Sequence, residues 1–275
     1  FLALRDAFPE DVEAAALALA VLGPEPGAAL ERLEARARQA KGTLRDHLQR
    51  AMLQGLAREQ RWGRLLAVVQ NLRARHPERP ALRSMEVAAL IELERWREAR
   101  RAVKARLRER PDDTEALEQL ANLETGQGNF ARAEAILERL AARPDADSVV
   151  FNNLAWVALF RRAPEARDLE RAVKANALSR GRSPGELHTL AALYAERGDT
   201  EETVELVRRR LDLRDAAEPE SMDYYLFGRV MEHLGLWRLA EQAYLRVEKN
   251  EGGRADSTHA LAQRRLRGLR KRSAI

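Results

Sequence analysis

Aromatic residues recur along this chain at a fixed interval, and that interval constrains the fold more than any other feature. Trp62, Trp96 and Phe130 lie 34 residues apart, and the prolines after them, Pro77, Pro111 and Pro144, follow at spacings of 34 and 33. Thr200 and Trp237 stand at the equivalent point of two later segments. The contents repeat along with the spacing. Leu117, Leu120 and Ala121 open one segment, Leu187, Leu190 and Ala191 another, and Tyr224, Phe227 and Gly228 a third. Each is a large–x–x–large–small pattern followed by a short turn and a second apolar run. Apolar residues at helical spacing with a Gly-containing break between runs predict a helix–turn–helix. The small residue lets the two helices of a pair approach closely. No such pair buries its apolar face alone, so neighbours must stack into one continuous core.

Composition agrees with an all-α chain. Apolar residues make up 45% and aromatics only 5%, with Ala, Leu, Arg and Glu dominant, all good helix formers. No apolar run approaches the ~18 residues of a membrane-spanning helix. The absence of cysteine removes disulfides and thiolate chemistry. It suits a reducing compartment such as the cytoplasm and is equally compatible with an oxidising one. The chain begins at Phe1 with no basic-then-apolar signal, and reads as a piece of a longer protein.

The repeated residues resemble the tetratricopeptide repeat, a helix–turn–helix unit of about 34 residues. The resemblance implies a right-handed superhelical solenoid of about seven such pairs closed by a C-terminal capping helix. The expected units are residues 46–77, 80–111, 113–144, 147–180, 184–214 and 220–250, preceded by a degenerate pair at 9–40. Arg83 and Glu86 depart from the pattern, standing where large apolar residues belong. Residues 256–272 read as the cap, with an Asp/Ser start. The loops at 143–148, 179–185 and 214–221 fall at repeat joints, so the expectation is one repeat domain over 1–275. Trp62, Trp96, Phe130 and Trp237 are expected to anchor its core.

Catalytic chemistry finds no foothold in the sequence. The five histidines never fall within one turn of each other, and no metal-ligand spacing or nucleophile elbow appears. "GQGN" (126–129) has no preceding strand and belongs to a hairpin turn rather than to a phosphate loop. Neither a catalytic residue, a metal nor a cofactor is expected. The net charge of +5 is equally uninformative about the body of the chain. Residues 251–275 carry seven basic side chains against Glu251 and Asp256, which accounts for the whole excess. Those cations suit the wet outer face of a cap, and with no aromatics among them to stack bases, nucleic acid is disfavoured as a partner.

The resemblance implies instead a protein or peptide partner held in a groove lined by first helices. On "FNNLAWVALF" (151–160), Phe151, Leu154, Ala155 and Ala158 are expected to face the partner helix. Asn152, Asn153 and Trp156 are left nearer the groove. The equivalent positions elsewhere are Glu118, Asn122, His188, Tyr225 and Arg229. An asparagine there equally serves a neighbouring helix carbonyl. The carboxylate clamp found in some of these families would fall on Glu118, Asn122, Asn153, Gly185 and Thr189 here. Both asparagines are present but all three cations are missing, so a neutral or basic ligand segment is expected. The alternative role is an accessory module of an enzyme whose catalytic part precedes Phe1.

Overall fold

Five of the hairpin turns among the described residues are made by a left-handed backbone residue two positions ahead of the residue that opens the second helix. In the computed structural model, which describes residues 26–161, 163–249 and 254–273, Gly128, Gly198 and Gly235 take φ of 78°, 91° and 75°. They precede Phe130, Thr200 and Trp237. Gln60 and Glu94 hold the same station before Trp62 and Trp96 at φ of 54° and 55°. A side chain there costs about 1–2 kcal/mol that glycine escapes. Glu94 also has an enclosed Oε1 that accepts no hydrogen bond among the described residues. Glu94→Gly should therefore raise stability by about 1 kcal/mol, read as a shift in urea midpoint without a change in slope.

The described residues form fourteen helices and no strand. Helix α1 (Pro26–Gln39) is the second helix of the degenerate pair, whose first helix lies outside the described residues. The pairs that follow are α2 (Gly42–Arg58) with α3 (Trp62–Arg75), α4 (Pro80–Glu92) with α5 (Trp96–Glu109), and α6 (Thr114–Gly126) with α7 (Phe130–Ala141). Next come α8 (Ser148–Arg161) with α9 (Ala166–Leu178), α10 (Pro184–Arg197) with α11 (Thr200–Leu213), and α12 (Asp223–His233) with α13 (Trp237–Leu245). Helix α14 (Thr258–Ser273) ends the series. Local chemistry sets the starts. Asp113 accepts the Ala116 N–H at 3.0 Å, Ser183 accepts from Glu186 ahead of Pro184, and Pro80 opens α4.

Packing divides the chain into residues 1–102 and 103–275. In the first unit α1, α2, α3 and α4 pack in sequence around Leu33, Leu48, Leu65, Val69 and Ile91, all nearly inaccessible. Ion pairs tie successive hairpins, among them Arg79–Asp46 at 2.9 Å and Arg64–Glu34. Glu86 meets Arg73 and Gln70, which explains why that position of α4 is not apolar.

In the second unit each helix packs on the next, and the first helices α8, α10 and α12 also pack on one another. The small positions do what their size predicts. Ala121, Ala155 and Ala191 are buried, and a Cβ at Gly228 would come within 2.6 Å of the Tyr244 ring. Phe151, Leu154, Ala155 and Ala158 are buried as expected.

The aromatic anchors need correction. Trp62, Trp96 and Phe130 are only half-buried, and Trp237 is 45% exposed. Phe130 is covered by Phe160 of the following pair, centroids 5.2 Å apart. Among the described residues α14, not a further pair, follows α13, and the equivalent ring of Trp237 is at the surface beside exposed Leu234, Leu236 and Leu239. Among the described residues the fully buried aromatics are Tyr225 and Tyr244. In denaturant titrations, Trp237→Ala should cost about 1–2 kcal/mol, well short of the ~3–5 kcal/mol expected for Tyr244→Ala.

Candidate functional site

The side chains proposed for the groove separate into two environments. Glu118 and Asn122 on α6 and Asn152, Asn153 and Trp156 on α8 are all half-buried. Glu118 lies one turn before Asn122. Burial, and then the nearby carboxylates of Asp147 and Glu115, lift its carboxyl above the usual range, with no cation among the described residues to offset them. The Asn152 amide donates to Asn153 Oδ1 at 3.3 Å, while its own enclosed Oδ1 accepts nothing among the described residues.

His188, Tyr225 and Arg229 are elsewhere: they are 2%, 0% and 4% exposed. Tyr225 donates its hydroxyl to Glu196, and Arg229 holds Glu196 at 3.1 Å together with Glu232. Glu232 also accepts from Tyr244 and from Arg265 of α14. Leu261, Ala262, Leu266 and Leu269 of α14 join the core that contains Tyr225. The last pair is thus closed by its cap, and Tyr225 and Arg229 hold helices together instead of facing outward. His188 lies beneath Trp156, ring centroids 5.8 Å apart.

The α6–α8 face is not bare. Residues 254–256, reached from α13 and leading into α14, lie against it. The Arg254 guanidinium donates to Asn122 Oδ1 at 2.7 Å, and the Ala255 N–H to the Gly126 carbonyl at 2.9 Å. The Trp156 indole N–H donates to the Asp256 carbonyl at 3.1 Å. Arg254 and Asp256 form a two-pronged ion pair at 3.0 and 2.9 Å, which holds the arginine in its pose. Asn122 thus meets the Arg254 side chain and Trp156 a main-chain carbonyl of a turn of the same chain. Sequence reading took Asp256 only as the start of a cap. The contacts join residues 100 and 132 apart, beyond any local periodicity.

These geometries meet comparison with known proteins at the repeat itself. The tetratricopeptide-repeat family model matches residues 90–156, the stretch from α4 through most of α8. Residues 90–156 carry the tetratricopeptide repeat. A tetratricopeptide repeat protein from Parabacteroides merdae is similar in structure, with a TM-score of 0.56 at 15% identity over 97% of each chain. The Cut9–Hcn1 hetero-tetramer of the APC/C is similar with a TM-score of 0.63, also at 15% identity. That match takes in 96% of this chain and 49% of the other, so this chain spans about half its length. At such identities the likeness is one of fold. No curated protein matches the sequence. Tetratricopeptide repeats generally mediate protein–protein interaction or scaffolding and are generally not catalytic. No helix among the described residues is long and apolar enough to cross a membrane.

Proposed function

We propose that the chain is a non-catalytic binding module that holds an extended segment of a partner protein on the face built by α6 and α8. The observation that carries this reading is the seating of residues 254–256 there. Three hydrogen bonds, two of them to main-chain groups of that turn, support reading the face as one that can accept peptide backbone. Glu118, Asn122, Asn152, Asn153 and Trp156 are the side chains available to it. The uncompensated Glu118 favours a neutral or basic segment over an acidic one. The buried ionisable groups elsewhere, Arg210–Asp223 and Arg229–Glu232, are committed to joining helices.

A photo-crosslinking amino acid placed at Glu118 or Asn153 should capture the partner. The same group at Glu205, on the outer face of α11, should not. Equal capture from all three positions would mean that this face is not the binding surface.

A further inference from the structure

We propose that the chain pairs with a second copy of itself about a two-fold axis at the α12–α13 turn, where an apolar centre lies between an acidic flank on α11 and a basic flank on α14. The pairing is independent of the α6–α8 face.

The centre is apolar and uncovered. Leu234 is 61% exposed, and Leu236, Trp237 and Leu239 are each nearly half exposed at the same turn. Val204 of α11, also half exposed, lines one shallow concavity with Val230 and Leu234, so apolar surface runs from the turn onto α11. Close packing fixes this edge. His233 Nε2 lies 3.0 Å from the Ala195 carbonyl, and a Cβ built on Gly198 would stand 3.0 Å from the same ring. Arg238 and Glu241, opposite in sign and one turn apart on α13, leave the centre without net charge.

The flanks differ in sign. Glu201, Glu202 and Glu205 in the first turns of α11 line the same concavity as Leu234. Glu205 pairs with Arg208, whereas Glu201 and Glu202 are exposed and make no ion pair among the described residues. Helix α14 carries no acidic residue. Its Arg267, Arg270 and Lys271 are exposed and likewise make no ion pair among the described residues. The helix runs back from the end of α13 toward the turn. His259 Nδ1 lies 2.9 Å from the Val247 carbonyl, and Arg265 reaches Glu232 near the end of α12. Because α11 packs on α12 while α14 packs on α12 and α13, the last pair separates acids from cations.

Acid, apolar and base in that order are self-complementary. A two-fold axis through the turn sets each copy's acids against the other's cations, once on either side, with apolar centre on apolar centre. A foreign basic helix would answer the acids but would also meet the like charge of α14. A second copy answers both flanks.

Sedimentation equilibrium of the full chain across the micromolar range should show a monomer–dimer equilibrium that weakens as salt rises. Glu201→Lys with Glu202→Lys puts cation against cation at both contacts. It should weaken pairing on the order of 100-fold, as should Arg267→Glu with Lys271→Glu. Mixed, the two reversed chains should pair as strongly as wild type, since both contacts are again opposite in sign. That rescue needs two folded chains, so misfolding cannot imitate it. Leu234→Asp, at an exposed side chain, should also disrupt pairing, and keeps the test if a reversed chain misfolds. A wild-type chain that stays monomeric overturns the proposal. So do reversed or Leu234→Asp chains that pair as well as wild type, and reversed chains that keep the wild-type circular dichroism yet fail to pair when mixed. A crosslinker at Glu205 should join two copies of this chain; capture there of a foreign basic protein alone would give the surface to that partner instead. Capture of a foreign partner from Glu118 and Asn153 should be unchanged by all these substitutions, so the proposed function stands or falls separately.

Discussion

Arg210→Ala should destabilise the chain by about 3–5 kcal/mol, the cost of stranding a buried charge. Asp223 is wholly inaccessible at the start of α12, and Arg210 near the end of α11 is 3% exposed. The guanidinium reaches both Asp223 oxygens, at 2.6 and 2.7 Å, and its Nε donates to the Pro184 carbonyl at the start of α10 at 3.2 Å. Asp223 also accepts the Glu220 N–H at 2.8 Å. One side chain therefore ties three helices at their ends. Even beside Arg210, burial holds the Asp223 carboxyl above its ordinary range. Without Arg210 the carboxyl is better off protonated. The native state then binds a proton that the unfolded state does not, so the deficit should shrink as pH falls through the carboxylate range. Replacing both partners, as Arg210→Met with Asp223→Leu, should recover most of the loss, since no buried charge is left unpaired. Arg208→Ala, which breaks only the exposed pair with Glu205, serves as the control and should be indistinguishable from wild type. A loss for Arg210→Ala no larger than that of the control would remove Arg210 from its assigned role.

The same arrangement joins α5 to α6, where Arg106, 7% exposed, reaches both oxygens of Asp113 at 3.0 Å. Arg106 and Arg210 occupy the same position of their helices, ten residues past Trp96 and Thr200. None of this is legible in the chain, because arginine is so abundant that the two structural ones do not stand out. What was legible depends on local chemistry. Gly128, Gly198 and Gly235 mark the turns, and Ala121, Ala191 and Gly228 mark the close approaches. Together they place the helix pairs from sequence. Facing is harder to read, because a helix position says which stripe a residue occupies but not what covers that stripe. Asn122 and Trp156 are expected on a peptide-contacting face, and they meet the Arg254 side chain and the Asp256 carbonyl of the turn before α14. Tyr225 was given the same kind of position, yet α12 lies beneath a cap, so its ring is enclosed. The occupant of the α6–α8 face was invisible for the same reason. Its three contacts are long-range and involve an arginine, a main-chain carbonyl and a main-chain amide, which leave no pattern along the sequence.

His188 should make the chain lose stability below neutral pH. Its imidazole is enclosed under Trp156, and neither ring nitrogen has a hydrogen-bond partner among the described residues. Burial first, and then the positive charge of Arg210, bring its pKa down from 6.5 to about 3. The unfolded chain takes up a proton at this residue near pH 6.5 and the folded chain does not. The stability present above that pH is therefore lost progressively as pH falls from 6.5 towards 3. Each unit of pH in that window costs about 1.4 kcal/mol at most, so at pH 5 the loss from this group alone is on the order of 2 kcal/mol. Carboxylates held low by their partners, such as Glu232 and Asp113, yield their stabilisation only at more acid pH. Because the Glu118 and Asp223 carboxyls are lifted above the usual range, the histidine is isolated in the interval from pH 7 to 5 by comparing the two chains. His188→Leu should remove the slope there. At pH 7 it should be neutral or mildly stabilising, because it replaces an unsatisfied polar ring by an apolar side chain. Urea titrations of both chains at pH 7, 6 and 5 make the comparison, with the His188 ring proton followed by NMR to show that it does not titrate in the folded state. An identical slope in the two chains would place the acid sensitivity elsewhere. A His188 resonance moving near pH 6.5 would mean that the ring is open to solvent, and that the α8–α10 contact over it is looser than its burial implies.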